Sequence, residues 1–347
     1  MGNRLICYKV RTRTCIEGTF EANADLLIFD EIHKYKKWRN FLKGEYDKYK
    51  DRFDIMVTGS ARLDLYSYGG DSLLGRYHYM RLHPFSVREA LGLQPTLAVS
   101  REPKFTKHKN ARDVFVRLFR FGGFPEPFIK KDLVTLRRFH NERLERLIKE
   151  DIRDIENVRD ISALQILVEL LPAKVGSLLS VNSLKGDLGV THKTVSAWTD
   201  ILERFYYHFR MYPFAATSIK SLRKEPKMYL WDWSQIEDEA IKLENIVASH
   251  LLKTAHFFYD TQGYRVELKF IRDTEGREVD FLLTVNKKPW MAVEVTSHDQ
   301  NVSKNLKYFA EKLNIPFVYQ VVGGKDIDVI KNGVRVISAD TFLSALV

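Results

Sequence analysis

Leu26-Leu27-Ile28-Phe29-Asp30-Glu31 is a run of four apolar residues that ends in two acids. A short apolar run of this kind suits a strand buried in a parallel sheet, with helices on its faces. The flanking sequence agrees. Leu5–Val10, Ile55–Ser60 and Tyr77–Leu82 are further strand candidates, and a polar helix candidate, Trp38–Tyr49, lies between the second and third strands. Strand and helix alternate, so residues 1–91 read as an α/β unit with a mainly parallel sheet.

Open α/β sheets bind ligands at the carboxyl edge of their strands. Asp30 and Glu31 stand at that edge, and Val57-Thr58-Gly59-Ser60 ends the next strand, which sets a polar side chain beside the acids. In nucleotide hydrolases an acid placed there belongs to the Mg²⁺ shell, and a second one orients the attacking water. Leu74-Gly75-Arg76-Tyr77 adds an arginine able to act on a neighbouring subunit's phosphate. The plainer reading is that Asp30-Glu31 caps the helix that follows.

The whole chain has 347 residues, 55 Lys and Arg against 45 Asp and Glu, and a formal net charge of +10. That length predicts two or three domains, and the basic excess suits an anionic partner such as nucleic acid. Aromatic residues make up 12%, which argues against disorder. No apolar run approaches the ~18 residues of a membrane helix, and the first residues have no signal-peptide core. Met1-Gly2 is a poor myristoylation start, because Ile6 stands where Ser or Thr is required. Cys7 and Cys15 form neither a metal-ligand spacing nor a disulfide framework, so a reducing cytoplasm is expected.

Beyond residue 91 the pattern changes. Residues 92–165 read as a polar connector and a helical lid, punctuated by Gly122-Gly123-Phe124-Pro125-Glu126-Pro127. Residues 166–225 hold a helix, a turn at Gly189 and a second helix, the pattern of a winged helix-turn-helix. Thr191 is the N-cap, and Leu184, Leu188, Val195, Trp198 and Leu202 form the core. His192, Lys193, Thr194 and Ser196 fall at the start and outer face of the second helix, where such motifs contact DNA bases. Lys174–Lys227 carries nine Lys and Arg against four acids, which concentrates half of the net charge here.

Residues 226–347 return to strand and helix. Val266–Ile271, Val279–Val285, Pro289–Thr296, Phe317–Val322 and Val334–Ile337 are strand candidates, with a helix over Val302–Leu313. A hairpin centred near Lys287 sets Asp280 across from Glu294. Two carboxylates on adjacent strands can hold Mg²⁺ for phosphodiester cleavage, with Glu244 on the preceding helix completing the set. This domain resembles the restriction-endonuclease-like fold, whose motif is an Asp, a spacer and Glu-x-Lys. Thr296 stands where the lysine belongs, so nuclease activity is disfavoured; Lys304 or Lys307 are the nearest replacements. The plainer reading pairs Asp280 and Glu294 with Arg272 or Arg277.

Taken together, Leu26–Glu31, Trp38, Thr58-Gly59-Ser60-Ala61, Gly75-Arg76-Tyr77, Leu82-His83-Pro84-Phe85-Ser86 and Gly122-Gly123-Phe124-Pro125-Glu126 resemble a family over nearly the whole chain. It is the AAA-type P-loop ATPases of archaea and bacteria that carry a winged helix and a C-terminal restriction-endonuclease-like domain of unknown function. The resemblance implies an α/β fold with a partial P-loop ATPase sheet, Asp30 and Glu31 as the Walker B acids, Ser60 near the sensor position and Arg76 as the arginine finger. ATP and Mg²⁺ are the family's cofactors, and DNA, a protein or a second copy its expected partners.

One departure is large. No Gly-Lys-Ser or Gly-Lys-Thr occurs in the 347 residues, and Gly323-Gly324-Lys325-Asp326 is the nearest approach. The phosphate-cradling loop needs that lysine and hydroxyl. The resemblance therefore implies an N-terminally truncated member, short by roughly 30–40 residues, with impaired ATP binding. The strand it lacks is central in the family's sheet, so Tyr77–Leu82 or another chain is expected to close the gap. Three functions stand in order: an ATPase-family protein with impaired chemistry, a non-catalytic DNA-binding protein, and a metal-dependent nuclease.

Overall fold

The apolar run before Asp30 forms a strand in the computed structural model. The structure describes residues 5–9, 26–32, 35, 37–59, 73, 75–152, 160–215, 225–297 and 301–347. They divide into two units, one of Met1–Tyr79 with Arg204–Tyr206, the other of Met80–Glu203 with Tyr207–Val347. Among the described residues no helix is long and apolar enough to cross a membrane.

In the first unit β1 (Leu5–Lys9), β2 (Leu26–Asp30) and β3 (Asp54–Val57) pair in that order, all parallel. The crossover from β2 to β3 contains α1 (Trp38–Tyr49). Alternation along β2 sends Leu27 and Phe29 into a core with Ile32, Leu42 and Phe53. Phe41 of α1 meets Phe29 and Tyr35 edge-on, at ring separations of 5.7 and 6.0 Å. The parallel α/β expectation holds here.

Tyr77–Leu82 does not. Residues 77–86 have no strand geometry and pair with no strand. From Arg81 onward two of the segment's backbone groups are taken by side chains of a long helix, α9 (Glu239–Gln262). Arg81 donates its backbone N–H and its Nε to Asp260 Oδ2, each at 3.1 Å, and Lys253 Nζ donates to the Pro84 carbonyl at 3.0 Å. A backbone group taken by a side chain is not free to join a ladder.

The second unit is also mixed α/β. Helices α2 (Val87–Ala90), α3 (Ala111–Phe121), α4 (Pro125–Lys130), α5 (Leu133–Arg146), α6 (Ile161–Leu170), α7 (Val181–Leu188) and α8 (His192–Arg204) come first. An antiparallel pair follows, β4 (His208–Met211) with β5 (Lys227–Leu230). After α9 come β6 (Val266–Arg272), β7 (Glu278–Val285), β8 (Lys288–Thr296), α10 (Lys304–Lys312), β9 (Phe317–Val322), β10 (Asp328–Lys331), β11 (Val334–Ser338) and α11 (Ala339–Ser344). Their sheet runs β10-β11-β9-β8-β7-β6. β6–β7–β8 is an antiparallel meander, whereas β8, β9 and β11 are parallel. Asn286 and Lys287, both left-handed (φ 49° and 69°), close the β7–β8 hairpin with the twist that two-residue turns require. Leu282, Ala292, Leu306 and Phe309 bury α10 against this sheet.

The Gly122-Gly123 pair has a packing reason. A Cβ on Gly123 would lie 2.7 Å from both Pro84 Cβ and a Trp233 ring carbon, and the Phe85 N–H donates to the Gly123 carbonyl at 2.8 Å. Gly123→Ala should therefore lower stability by ~1–3 kcal/mol through overpacking. Gly44→Ala in α1, where the new methyl meets nothing within 4 Å, should raise the stability of its unit by ~0.5–1 kcal/mol. Denaturant midpoints of the two variants check both signs.

Candidate functional site

Three places hold the residues singled out by sequence. At the carboxyl edge of the first unit's sheet, Thr58 Oγ1 donates to Asp30 Oδ1 at 2.5 Å, and the Thr58 N–H extends the ladder to the Phe29 carbonyl at 2.9 Å. The polar side chain expected beside Asp30 is thus that of Thr58; Ser60 lies outside the described residues. Glu31 adopts the left-handed conformation (φ 56°), uncommon for a residue with a Cβ. The chain leaves the strand direction at this point. Arg76 reaches Asp47 of α1, with Nε 3.2 Å from Oδ1.

The second place is α7–α8. Gly189 is left-handed (φ 66°) between the helices, and Thr191 Oγ1 accepts the Thr194 N–H at 3.2 Å, the cap expected. Leu184, Val195, Trp198 and Leu202 are buried, while Leu188 is half-buried. His192 and Lys193 are exposed; Thr194 and Ser196 are half-buried, and the Ser196 carbonyl accepts from Thr199 Oγ1. The positive charge counted here is partly turned inward. Arg210 is bound to Glu203 and, at 2.7 Å, to Asp200, and Lys227 is buried. A denser positive stretch went unread in the sequence. Residues 101–146 carry thirteen Lys and Arg against six Asp and Glu, with Arg120, Lys130, Lys131, Arg137 and Arg138 exposed on α3–α5 and the turn between.

The third place is the β7–β8 edge. Phe281 pairs with Val293, so one step on Asp280 stands beside Glu294, as the hairpin arithmetic expected. The Asp280 N–H donates to Glu294 Oε2 at 3.3 Å, and the Val295 N–H to Asp280 Oδ2 at 2.9 Å. Ser303 Oγ donates to Glu294 Oε1 at 3.3 Å. Glu244 comes in from α9 and accepts the Tyr229 hydroxyl at 2.7 Å. Gly176 (φ 74°) lets a loop pass close by, since a Cβ there would lie 3.3 Å from both Glu244 oxygens.

The centre of this group is a lysine. Lys227 Nζ lies 2.6 Å from Glu278, 3.6 Å from Glu244 and 3.6 Å from Asp280, with its side chain 5% exposed. This corrects the pairing expected of the acids. Arg272 goes to Glu278 and Arg277 to Asp273 and Glu275, while Lys304 and Lys307 are exposed on α10. No sequence pattern pointed to Lys227, which precedes Asp280 by more than fifty residues; its signal is a lysine at the head of an apolar strand. Among the described residues no three His, Cys, Asp or Glu side chains stand as a group able to hold a metal ion.

Burial and the neighbouring Asp280 push the Glu294 carboxyl up to about 8, and the same causes push Glu244 up to about 7. Asp280 is raised by its own burial, with Lys227 pulling the other way. Burial works to lower Lys227, but Glu244, Asp280 and Glu278 outweigh it and hold the ammonium above its ordinary value.

Comparisons with known proteins match three segments of the chain. Residues 8–91 match a family model described as an AAA domain. Residues 112–236 match a domain of unknown function (DUF8612), and residues 241–342 another (DUF4143). An uncharacterized protein of Methanocaldococcus jannaschii is 24% identical over 221 residues, 58% of this chain and 46% of that protein. A second from the same organism is 21% identical over 305 residues, 84% of this chain and 66% of its own length. An uncharacterized protein of Haemophilus influenzae is 21% identical over 271 residues, 74% and 62% of the two chains. The chain thus spans about half to two thirds of the length of these curated relatives. No solved structure matches. Residues 8–91 are thus similar to an ATPase-like AAA domain, within an α/β chain.

The raised carboxyls contribute a share of the second unit's stability that falls as pH rises. Each group binds its proton more tightly folded than unfolded. Its contribution is whole below the ordinary value of 4.5 and is lost as pH climbs through about 7 for Glu244 and about 8 for Glu294. Glu294→Gln, a permanent mimic of the protonated form, should be more stable than the parent at pH 8.5 by ~1–2 kcal/mol. The difference should close toward pH 4.5. Urea midpoints measured across that range check it.

Proposed function

We propose that the first unit is the nucleotide-handling part of an AAA-type ATPase. In this reading Asp30 and Thr58 form the edge where Mg²⁺ binds, and Glu31 orients the attacking water. The hydrogen bond from Thr58 to Asp30, made at the carboxyl ends of adjacent parallel strands, carries the reading. The hydroxyl holds one carboxylate oxygen and so sets the plane of the group, as a metal shell requires. The left-handed turn at Glu31 separates the second acid from the first, a division of labour a helix cap does not need. Bound Mg²⁺ would neutralise charge developing on the phosphates. These residues fit the ion, but not the whole nucleotide: without a Gly-Lys-Ser or Gly-Lys-Thr sequence in the 347 residues, a ring of backbone amides and a lysine is lacking for the phosphates. The nucleotide affinity of this chain is therefore weak.

A second reading gives α7–α8 and the β4–β5 pair the part of a winged helix that meets DNA. The exposure of His192 and Lys193 at the start of α8 favours it. Arg210 and Lys227, both spent on internal carboxylates, weigh against a strong electrostatic contribution.

Calorimetric titration of this chain with Mg-ATP tests the first reading. The expected Kd is weaker than about 1 mM, with binding lowered further by Asp30→Asn. A micromolar Kd would overturn the weak-affinity claim, and binding that is indifferent to Asp30→Asn would overturn the assignment of the site.

A further inference from the structure

We infer that Lys227 is the resident cation of the acidic cluster on α9, β7 and β8, and that its ammonium takes the place a divalent metal ion would hold there. The inference concerns the second unit alone and is independent of the ATPase reading.

The geometry carries it. An Asp and a Glu side by side on adjacent strands, with a further Glu from a helix, are the donor set that a hard divalent ion favours. Here Glu244, Glu278 and Asp280 instead converge on Lys227 Nζ, which is within 3.6 Å of all three. A second, doubly charged cation among the same oxygens would be repelled by that ammonium at contact distance, where screening is weakest. Glu294 is engaged separately, by the Asp280 N–H and by Ser303 Oγ. The described residues accordingly contain no group of three acids or histidines placed for an ion.

Lys227 is also firmly held. Its backbone belongs to β5 and bridges Leu178 as well as Met211. Its ammonium lies 5.8 Å from the Phe270 ring centre. Two residues further along the same strand, Tyr229 ties Glu244 to β5. The side chain is 5% exposed, so displacement would cost the desolvated ammonium its partners. The charge missing at Thr296 is in this way restored from a different strand, but as a fixed counter-ion.

Two measurements test this. The first is calorimetric titration of the wild-type chain with Mn²⁺, alongside Asp280→Asn. No saturable binding that depends on Asp280 is expected up to millimolar Mn²⁺; a submillimolar site lost in Asp280→Asn overturns the inference. The second is Lys227→Met, which keeps the stem and removes the ammonium. This variant should gain a Mn²⁺ site of submillimolar Kd and a thermal midpoint that rises with Mn²⁺, or should fold only when Mn²⁺ is present. A folded Lys227→Met that binds no Mn²⁺ also overturns the inference. If the variant folds neither with nor without Mn²⁺, the wild-type titration decides: an Asp280-dependent site overturns the inference and its absence upholds it.

Discussion

The second unit depends on the buried polar side chains of α9. Asn245 is fully buried and grips one residue of β5 at both ends, accepting the Leu230 N–H and donating to the Leu230 carbonyl, each at 2.8 Å. His250 accepts the Val87 N–H at 3.0 Å. His256 meets His83 at 2.9 Å, and burial holds both rings well below the usual histidine range, at about 3 and about 2, so one neutral ring donates and the other accepts. Asp260 takes Arg81. Buried polar groups must find partners, and these side chains supply them to Leu230 of β5 and to the backbone of residues 81–87. The irregular course of residues 80–86 follows from this helix.

The same helix sets the acidic cluster. Glu244 and Asn245 are consecutive on α9 and hold consecutive residues of β5, Tyr229 and Leu230. That double attachment fixes where β5 begins, and hence where the ammonium of Lys227 falls. Carboxylates contributed by α9 and β7 then meet one cation brought by β5. A cluster with more acids than bases, mostly out of water, must hold protons or cations, and the raised Glu244 and Glu294 show the strain of that imbalance.

Much of the framework was legible in the sequence. Apolar runs bounded by turns placed β2 and β9 to the residue and β6, β7, β8 and β11 to within a residue or so, because a buried strand must be apolar along its length or on one face. The helix pair was legible from Gly189, whose left-handed conformation few other residues favour, and from Thr191, whose hydroxyl caps the second helix. β10 was not, since all four of its residues are exposed and its pattern carries no burial signal. Tyr77–Leu82 misled for the converse reason. It has the composition of a strand, yet Leu82 is 99% exposed and Met80 66%, and β-propensity yields to tertiary context.

The sites divide along the same line. Sequence by itself determined three relations that lie within one strand or across one tight hairpin: Asp30 at the end of β2, a polar side chain at the end of β3, Asp280 beside Glu294. Strand periodicity and turn length fix such neighbours locally. Only the tertiary structure decided which polar residue meets Asp30, Thr58 with Ser60 left outside the described residues, and that Lys227 stands among Glu244, Glu278 and Asp280. The first contact joins the ends of two adjacent parallel strands, and the second comes from the packing of α9 on β5 and of β5 near β7; no spacing along the chain encodes a distance across a core.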